Sequence, residues 1–322
     1  MALAILIGSV SFALLVGSEP TSLGRALSDA ASLDRRIILE ARLPRVLLGA
    51  LAGGGLAIVG AAFQALLRNP LAEPYVLGVS GGAALGATVA IVAGIGGALG
   101  GALTPLAALV GGLGATVLVH TVARSGGGPR GASILLAGVI VNALASSMIT
   151  LLKTLVSATK AQELLFWLMG FLDVPPLSSL ISVTLGTLLG AALLCLDAGR
   201  LDLLALGDEP AAHVGVDVVR LQARVFLACS LVVGAIVSVT GLIGFIGLVV
   251  PQALRRLLGP DHRRLLPLSF LVGASTLVWC DALARLIFRV LGTEPPVGAI
   301  TALLGGPLFL LLLSRPNGAE EG

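Results

Sequence analysis

The chain has 322 residues, of which 57% are hydrophobic and only 11% are charged, whereas a typical soluble domain carries about 25% charged residues. A soluble protein of this length would need far more polar surface, so most of this surface is expected to face lipid. The net charge of +3, from 20 basic and 17 acidic residues, is too balanced to indicate nucleic-acid binding.

Apolar stretches that could form membrane helices follow one another along nearly the whole chain. Each needs roughly 20 residues at a rise of about 1.5 Å per residue. Ten spans are predicted, at residues 3–17, 44–67, 76–99, 104–123, 132–152, 177–196, 223–243, 244–258, 266–287 and 297–313. The fold class is therefore all-α and integral to the membrane, and residues 1–322 are expected to form a single transmembrane domain.

Three stretches between these spans are more polar. Residues 18–43 separate the first two spans, and residues 197–222 are too polar to enter lipid. Residues 153–173 are amphipathic and contain Phe166 and Trp167. Because aromatic side chains are favoured at the membrane surface, this stretch is expected to lie at the interface.

Glycines in the third predicted span are spaced for close helix packing. Gly78, Gly82 and Gly86 lie four residues apart, which would place them on one face of a helix. Small residues at this spacing let two helix backbones approach closely in lipid. The three glycines are therefore predicted to form a helix-packing face.

The motifs of catalysis and metal binding are missing from the sequence. There is no phosphate-binding loop, since neither Lys153 nor Lys160, the only lysines, follows a glycine. The three cysteines form no CxxC pair, and no spacing suggests a nucleophile with its base or a metal site. The sequence predicts a protein that is not an enzyme, has no metal site and carries no cofactor of its own.

Ionisable side chains are rare within the predicted spans. Asp281 is the main exception, and Arg285 follows it by one helical turn, a spacing that permits an ion pair. The pair could fix the ninth span or could take part in transport. Because ion-coupled carriers usually hold such residues within the membrane, an ion-gradient-driven secondary transporter is the alternative to the interpretation that follows.

Three stretches carry a resemblance to a known family. The first stretch contains RLPR at residues 42–45, QALLRNPLAEP at 64–74 and LGVSGGA at 77–83. The second is LGDEPAAHVGV at 206–216. The third contains GFIGLVVPQ at 244–252, GPDHR at 259–263 and PPVG at 295–298. In this order and spacing they resemble the FecCD-type permeases, the membrane subunits of importers for ferric siderophores, haem and cobalamin. The resemblance covers residues 42–313.

The resemblance implies a type II ABC-importer permease fold with about ten transmembrane helices. It implies that the chain pairs with a second copy of itself in the bacterial inner membrane and that the pathway runs between the copies. Two cytoplasmic ATPase subunits would bind ATP and Mg²⁺, and a periplasmic binding protein would deliver the cargo. The expected cargo is haem or a ferric siderophore, with cobalamin also possible.

The resemblance also assigns three arginines to the outer mouth. Arg42, Arg45 and Arg285 match positions that dock the acidic lobes of the binding protein in the family. Pro44 suits the first turn of a helix, and arginine recognises carboxylates with two parallel bonds. The alternative is that these side chains snorkel to the interface or contact lipid headgroups.

The polar stretch at residues 197–222 matches the region that contacts the ATPase in the family. A structured loop without that role could have the same composition. The coupling residues that the resemblance implies are Leu206, Gly207, Asp208, Glu209, Ala212, His213, Gly215 and Val216.

Overall fold

A computed structural model describes the chain at residues 1–17, 19–29, 31–75, 78–95, 103–125 and 130–314. Within these ranges the regular secondary structure is helical throughout. The α-helices are α1 (Ala2–Leu15), α2 (Leu23–Ser28), α3 (Leu33–Arg36), α4 (Leu43–Leu66), α5 (Val79–Val92), α6 (Leu103–Ser125), α7 (Arg130–Thr154), α8 (Ala158–Met169), α9 (Leu177–Leu196), α10 (Ala198–Ala205), α11 (Asp208–His213), α12 (Val218–Thr240), α13 (Ile246–Leu258), α14 (His262–Leu291) and α15 (Val297–Ser314). A π-helical segment, Ile37–Arg42, joins α3 to α4.

Six helices of the described ranges are long and apolar enough to cross a membrane. They are the continuous helix Leu33–Leu66, which includes α3 and α4, together with α6, α7, α9, α12 and α14. α1, α5 and α15 are apolar but shorter, and α13 has 13 residues. Each predicted span thus contains a described helix, which confirms the all-helical membrane fold, while the count of ten crossings stays a prediction.

α4 forms the centre of the bundle, and its residues 52–66 are all buried. α14 crosses it where Gly53 faces Gly273, and a Cβ on either residue would overlap the carbonyl oxygen of the other. α13 approaches at Gly60, where a Cβ would overlap the backbone of Gly247. Glycine therefore lets these backbones touch where lipid supplies no hydrophobic drive for helix association.

α5 and α13 are half-length helices. At 14 and 13 residues each is about 20 Å long, against about 30 Å for the hydrocarbon core. The residue before each helix has a left-handed backbone, with φ of +85° at Gly78 and +68° at Phe245. The continuous span predicted over residues 76–99 is therefore too long, because α5 begins only after Gly78; residues 76–77 and 96–99 lie outside the described ranges.

The predicted glycine face is present only in part. A Cβ at Gly82 would overlap the carbonyl oxygen of Gly111, and one at Gly86 would overlap that of Ala107. These two glycines therefore set the close approach of α5 to α6. Gly78 is not part of the helix, because it precedes the helix as its left-handed cap, although a Cβ there would lie only 3.2 Å from Val119 on α6.

Candidate functional site

Four charged side chains form one network near the start of α4. Arg45 donates from Nε and Nη2 to Asp281 Oδ1, at 2.9 and 2.7 Å, and its Nη2 also contacts Glu294. Arg285 places its Nε 3.0 Å from Asp281 Oδ2. The predicted Asp281–Arg285 ion pair is confirmed, and Arg45 joins it from a second helix.

The C-terminal end of α1 is surrounded by guanidinium groups. Arg42 donates to the carbonyls of Leu14 and Leu15 at 2.9 and 3.0 Å, Arg285 donates to those of Ala13 and Val16 at 3.0 Å, and Arg289 donates to that of Gly17 at 2.7 Å. The last carbonyls of a helix lack partners within it and carry partial negative charge. The arginines therefore fix α1 against α4 and α14.

Arg42, Arg45 and Arg285 were predicted to dock the binding protein. In the structure each of these side chains is already bonded to other groups of the same chain. Arg42 is 5% exposed and Arg285 is 3% exposed, whereas the side chain of Arg45 is 14% exposed. Simple snorkelling does not describe Arg42 or Arg285, since both bind protein carbonyls. Docking stays a prediction, and it would require Arg42 to release α1.

A cavity of about 590 Å³ lies at the same end of the bundle, since Glu294 belongs both to its wall and to the Arg45 network. Its described lining includes three aromatic rings and three carboxylates, namely Phe166, Trp167, Phe171, Glu163, Asp173 and Glu294. No basic side chain is among these described lining residues. The cavity therefore combines an apolar face with hydrogen-bond acceptors.

At the opposite end of α4, the short helices α10 and α11 are tied to three long helices. Arg68 donates to Asp208 at 2.9 Å, Arg224 donates to Asp197 at 2.8 Å, and the backbone N and ring Nδ1 of His262 lie 2.9 and 2.5 Å from Asp202 Oδ1. These contacts join the two short helices to the ends of α4, α12 and α14. A force applied to α10 and α11 would thus reach the membrane helices directly.

The predicted coupling residues lie on or beside α11. Asp208 and Glu209 begin this helix, and its Ala211 packs inward at 1% exposure. Exposed positions of the same region are Leu206, Glu209, Ala212, His213 and Gly215, while Gly207, Asp208 and Val216 are buried or half-buried. Leu206 and Val214, on either side of α11, are both exposed, at 73% and 63%.

Sequence reasoning missed several contacting residues. Arg68 and Glu73 both lie in the first motif stretch, yet nothing in their spacing indicates that Arg68 bonds Asp208 or that Glu73 accepts from the Phe245 N–H. The same holds for Arg289 at the end of α1. For Arg68 and Glu73, the only signal in the sequence was their place within a motif. Which residues they bond to depends on how the chain folds.

Comparison with known proteins gives one family. The sequence profile described as the FecCD transport family matches residues 4–315. The cobalamin import system permease protein BtuC of Halobacterium salinarum is 41% identical over 277 residues, which cover 86% of this chain and 73% of that protein. The hemin transport system permease protein HmuU of Yersinia pestis is 40% identical over 288 residues, covering 89% and 85%.

A solved structure supports the same relationship. It shows an inward-facing conformation of a metal-chelate type ABC transporter and aligns with a TM-score of 0.87 at 30% sequence identity. The alignment covers 97% of both chains. The likeness thus extends over nearly the whole chain.

Proposed function

Since the chain belongs to the FecCD transport family, we propose that it is the membrane-spanning subunit of an ATP-driven importer in the bacterial inner membrane. Two copies would enclose the pathway, and each would rest on a cytoplasmic ATPase subunit that binds ATP and Mg²⁺. A periplasmic binding protein would deliver the cargo to the outer end. Family membership over residues 4–315 carries the proposal.

The inner end of the chain supports an ATPase partner. α10 and α11 are too short and too polar to cross lipid, and their exposed surface includes Leu206 and Val214, at 73% and 63% exposure. Ion pairs hold these helices to α4 and α12, and hydrogen bonds between His262 and Asp202 hold them to α14. We infer that α11 seats in the ATPase and that movement of the ATPase moves these membrane helices.

α7 supports a pathway between two copies. Ser146, Thr150 and Thr154 are exposed and spaced four apart, so they form one hydroxyl row along the second half of α7. Their neighbour Ser147 is exposed too. A row of hydroxyl groups suits a water-filled path better than contact with lipid tails.

The cargo we propose is a bulky chelate, either haem or a ferric siderophore, with cobalamin also possible. The aromatic rings at the outer cavity offer an apolar face to a flat macrocycle. The chain would pass the chelate as a finished complex and would not ligate the metal itself. The relatives named above are permeases for cobalamin and hemin.

Purification from the native host tests the partners. The tagged chain is extracted in mild detergent, and proteins that co-purify in fixed proportion are identified by mass spectrometry. We expect an ATPase subunit with a phosphate-binding loop, and a bound periplasmic protein would indicate the cargo. Recovery of the chain alone, even after crosslinking in intact cells, would favour the gradient-driven carrier.

A further inference from the structure

After α4 the chain leaves the helix before it reaches the half-length helix α5, and residues 68–75 of this connection are described and non-helical. We call residues 68–75 the strap. Arg68, Pro70 and Leu71 are exposed, whereas Ala72 and Pro74 are buried. Irregular backbone at membrane depth is tolerated only if protein or water satisfies its polar groups. Hydrogen bonds at both ends of the strap show which elements satisfy it.

The inner end of the strap binds the coupling region. Arg68, whose φ is +48°, places Nη2 2.9 Å from Asp208 Oδ1 at the start of α11. The side chain of Gln252 on α13 donates to the Pro70 carbonyl at 2.8 Å. The strap is thereby fixed to α11 and to the inner half of α13.

The outer end of the strap binds the N-terminus of α13. The N–H of Phe245, the N-cap residue of α13, donates to Glu73 Oε1 at 2.7 Å. The N–H of Ile243 donates to the Tyr75 hydroxyl oxygen. A carboxylate is favoured at this position because the first N–H groups of a helix lack partners within it and carry partial positive charge.

The same end of the strap reaches α7. Asn142 donates from Nδ2 to the carbonyl oxygen of Tyr75. Asn142 lies at the middle of α7, about 18 Å from either end of that helix. The strap therefore runs from the inner end of the bundle to half its depth.

We propose that the strap carries movement of α11 to the N-terminus of α13 and to α7, and that Glu73 is the positioning residue at its outer end. The strap is bonded to neighbouring elements at Arg68, Pro70, Glu73 and Tyr75, so a displacement of its inner end is expected to be passed along these contacts. This inference rests on the proposed function, because it takes the ATPase to act on α11.

The test measures whether α7 moves when ATP is bound. A spin label is attached at Ser146→Cys on α7, in a background where the exposed Cys195 is replaced by Ser. The complex with its ATPase is placed in lipid, and the distance between the labels of the two copies is measured with and without ATP. ATP hydrolysis by the same samples is measured in parallel.

Three substitutions separate the strap from a general loss of structure. Glu73→Ala removes the acceptor for the Phe245 N–H, and Glu73→Gln keeps an oxygen in its place. Glu40→Ala is the control, because the side chain of Glu40 is 67% exposed and contacts only Arg36 among the ion pairs. Thermal unfolding of each variant in detergent shows that it is folded.

We expect the ATP-dependent distance change in the unsubstituted chain, in Glu73→Gln and in Glu40→Ala, and its loss in Glu73→Ala with ATP hydrolysis retained. If Glu73→Ala is folded and shows the same ATP-dependent distance change as the unsubstituted chain, the inference about the strap is wrong, while the proposed function is not affected. Absence of any shift in the unsubstituted chain would also overturn the inference. ATP-dependent cargo uptake, measured separately, would then show whether the proposed function survives.

Discussion

Asp281 is the residue on which the outer network depends. It lies between Arg45 and Arg285 and is 1% exposed. A buried charge pair adds little stability over apolar side chains, but removal of one partner leaves the other charge uncompensated. Asp281 therefore explains how two guanidinium groups can remain inside this bundle.

Asp281→Asn is expected to lower the free energy of unfolding by about 3 kcal/mol or more, because Arg45 and Arg285 lose their shared negative charge. Thermal unfolding in mild detergent measures the change. Asp217→Asn is the matched control, since Asp217 pairs with Arg220 on the surface and asparagine keeps its role as a helix cap. Equal losses in the two variants would contradict the account.

Gly215 has a left-handed backbone, with φ of +86°, and no atom lies within 4 Å of a Cβ built there. Gly215→Ala would therefore strain the turn between α11 and α12 without a steric clash. We expect ATP hydrolysis to continue while uptake of haemin or cyanocobalamin by proteoliposomes falls.

Gly259→Ala provides the comparison for this prediction. Gly259 has φ of +85° and equally open surroundings, but it ends α13 and lies outside the coupling region. The same backbone strain there is expected to leave the ratio of uptake to hydrolysis unchanged. If Gly215→Ala and Gly259→Ala alter that ratio alike, the assignment of α11 as the coupling helix is wrong.

At the scale of helices, the sequence predicted the long spans and also a short span at residues 244–258, close to α13 (Ile246–Leu258), but it did not predict that α5 is half-length. α12 and α14 are continuous apolar segments, so their composition shows them within a few residues. Apolar residues both precede and follow α5 in the sequence. Hydropathy therefore cannot reveal that the helix starts only after Gly78. α13 begins just after Phe245, which is also a left-handed residue.

The contact between α4 and α14 gives a prediction about packing. Gly53→Ala would press a methyl group against the carbonyl of Gly273, and overpacking of this kind costs about 1–3 kcal/mol. Gly114→Ala on α6 is the control, since no atom lies within 4 Å of its Cβ position. We expect the melting temperature to fall in Gly53→Ala only; an equal melting temperature would contradict this packing.

At the scale of the whole molecule, the three motif stretches meet in space. Arg68 in the first stretch binds Asp208 in the second, and Glu73 in the first binds Phe245 in the third. The resemblance identified the stretches, but these contacts join positions more than a hundred residues apart. Pattern and spacing carry no information about such contacts, which is why the strap could not be predicted from the sequence.

The outer arginines show the same limit. In the structure α4 begins at Leu43 but continues a helix that starts at Leu33. The sequence, which placed Arg42 and Arg45 beside Pro44 at the start of a span, therefore put the start of this helix too late. It could not show that Arg42 is turned toward the end of α1, because those carbonyl acceptors lie in a different helix. Side chains that bond to distant backbone give no local signal.

The central claim is that this chain works with an ATPase to import a chelate. The most direct measurement is uptake of haemin or cyanocobalamin, delivered by the binding protein, into proteoliposomes that contain the chain and its ATPase. We predict uptake that requires ATP and Mg²⁺ on the side of the ATPase and continues after proton and sodium gradients are collapsed. Uptake that ignores ATP and stops when a gradient is collapsed would contradict the account.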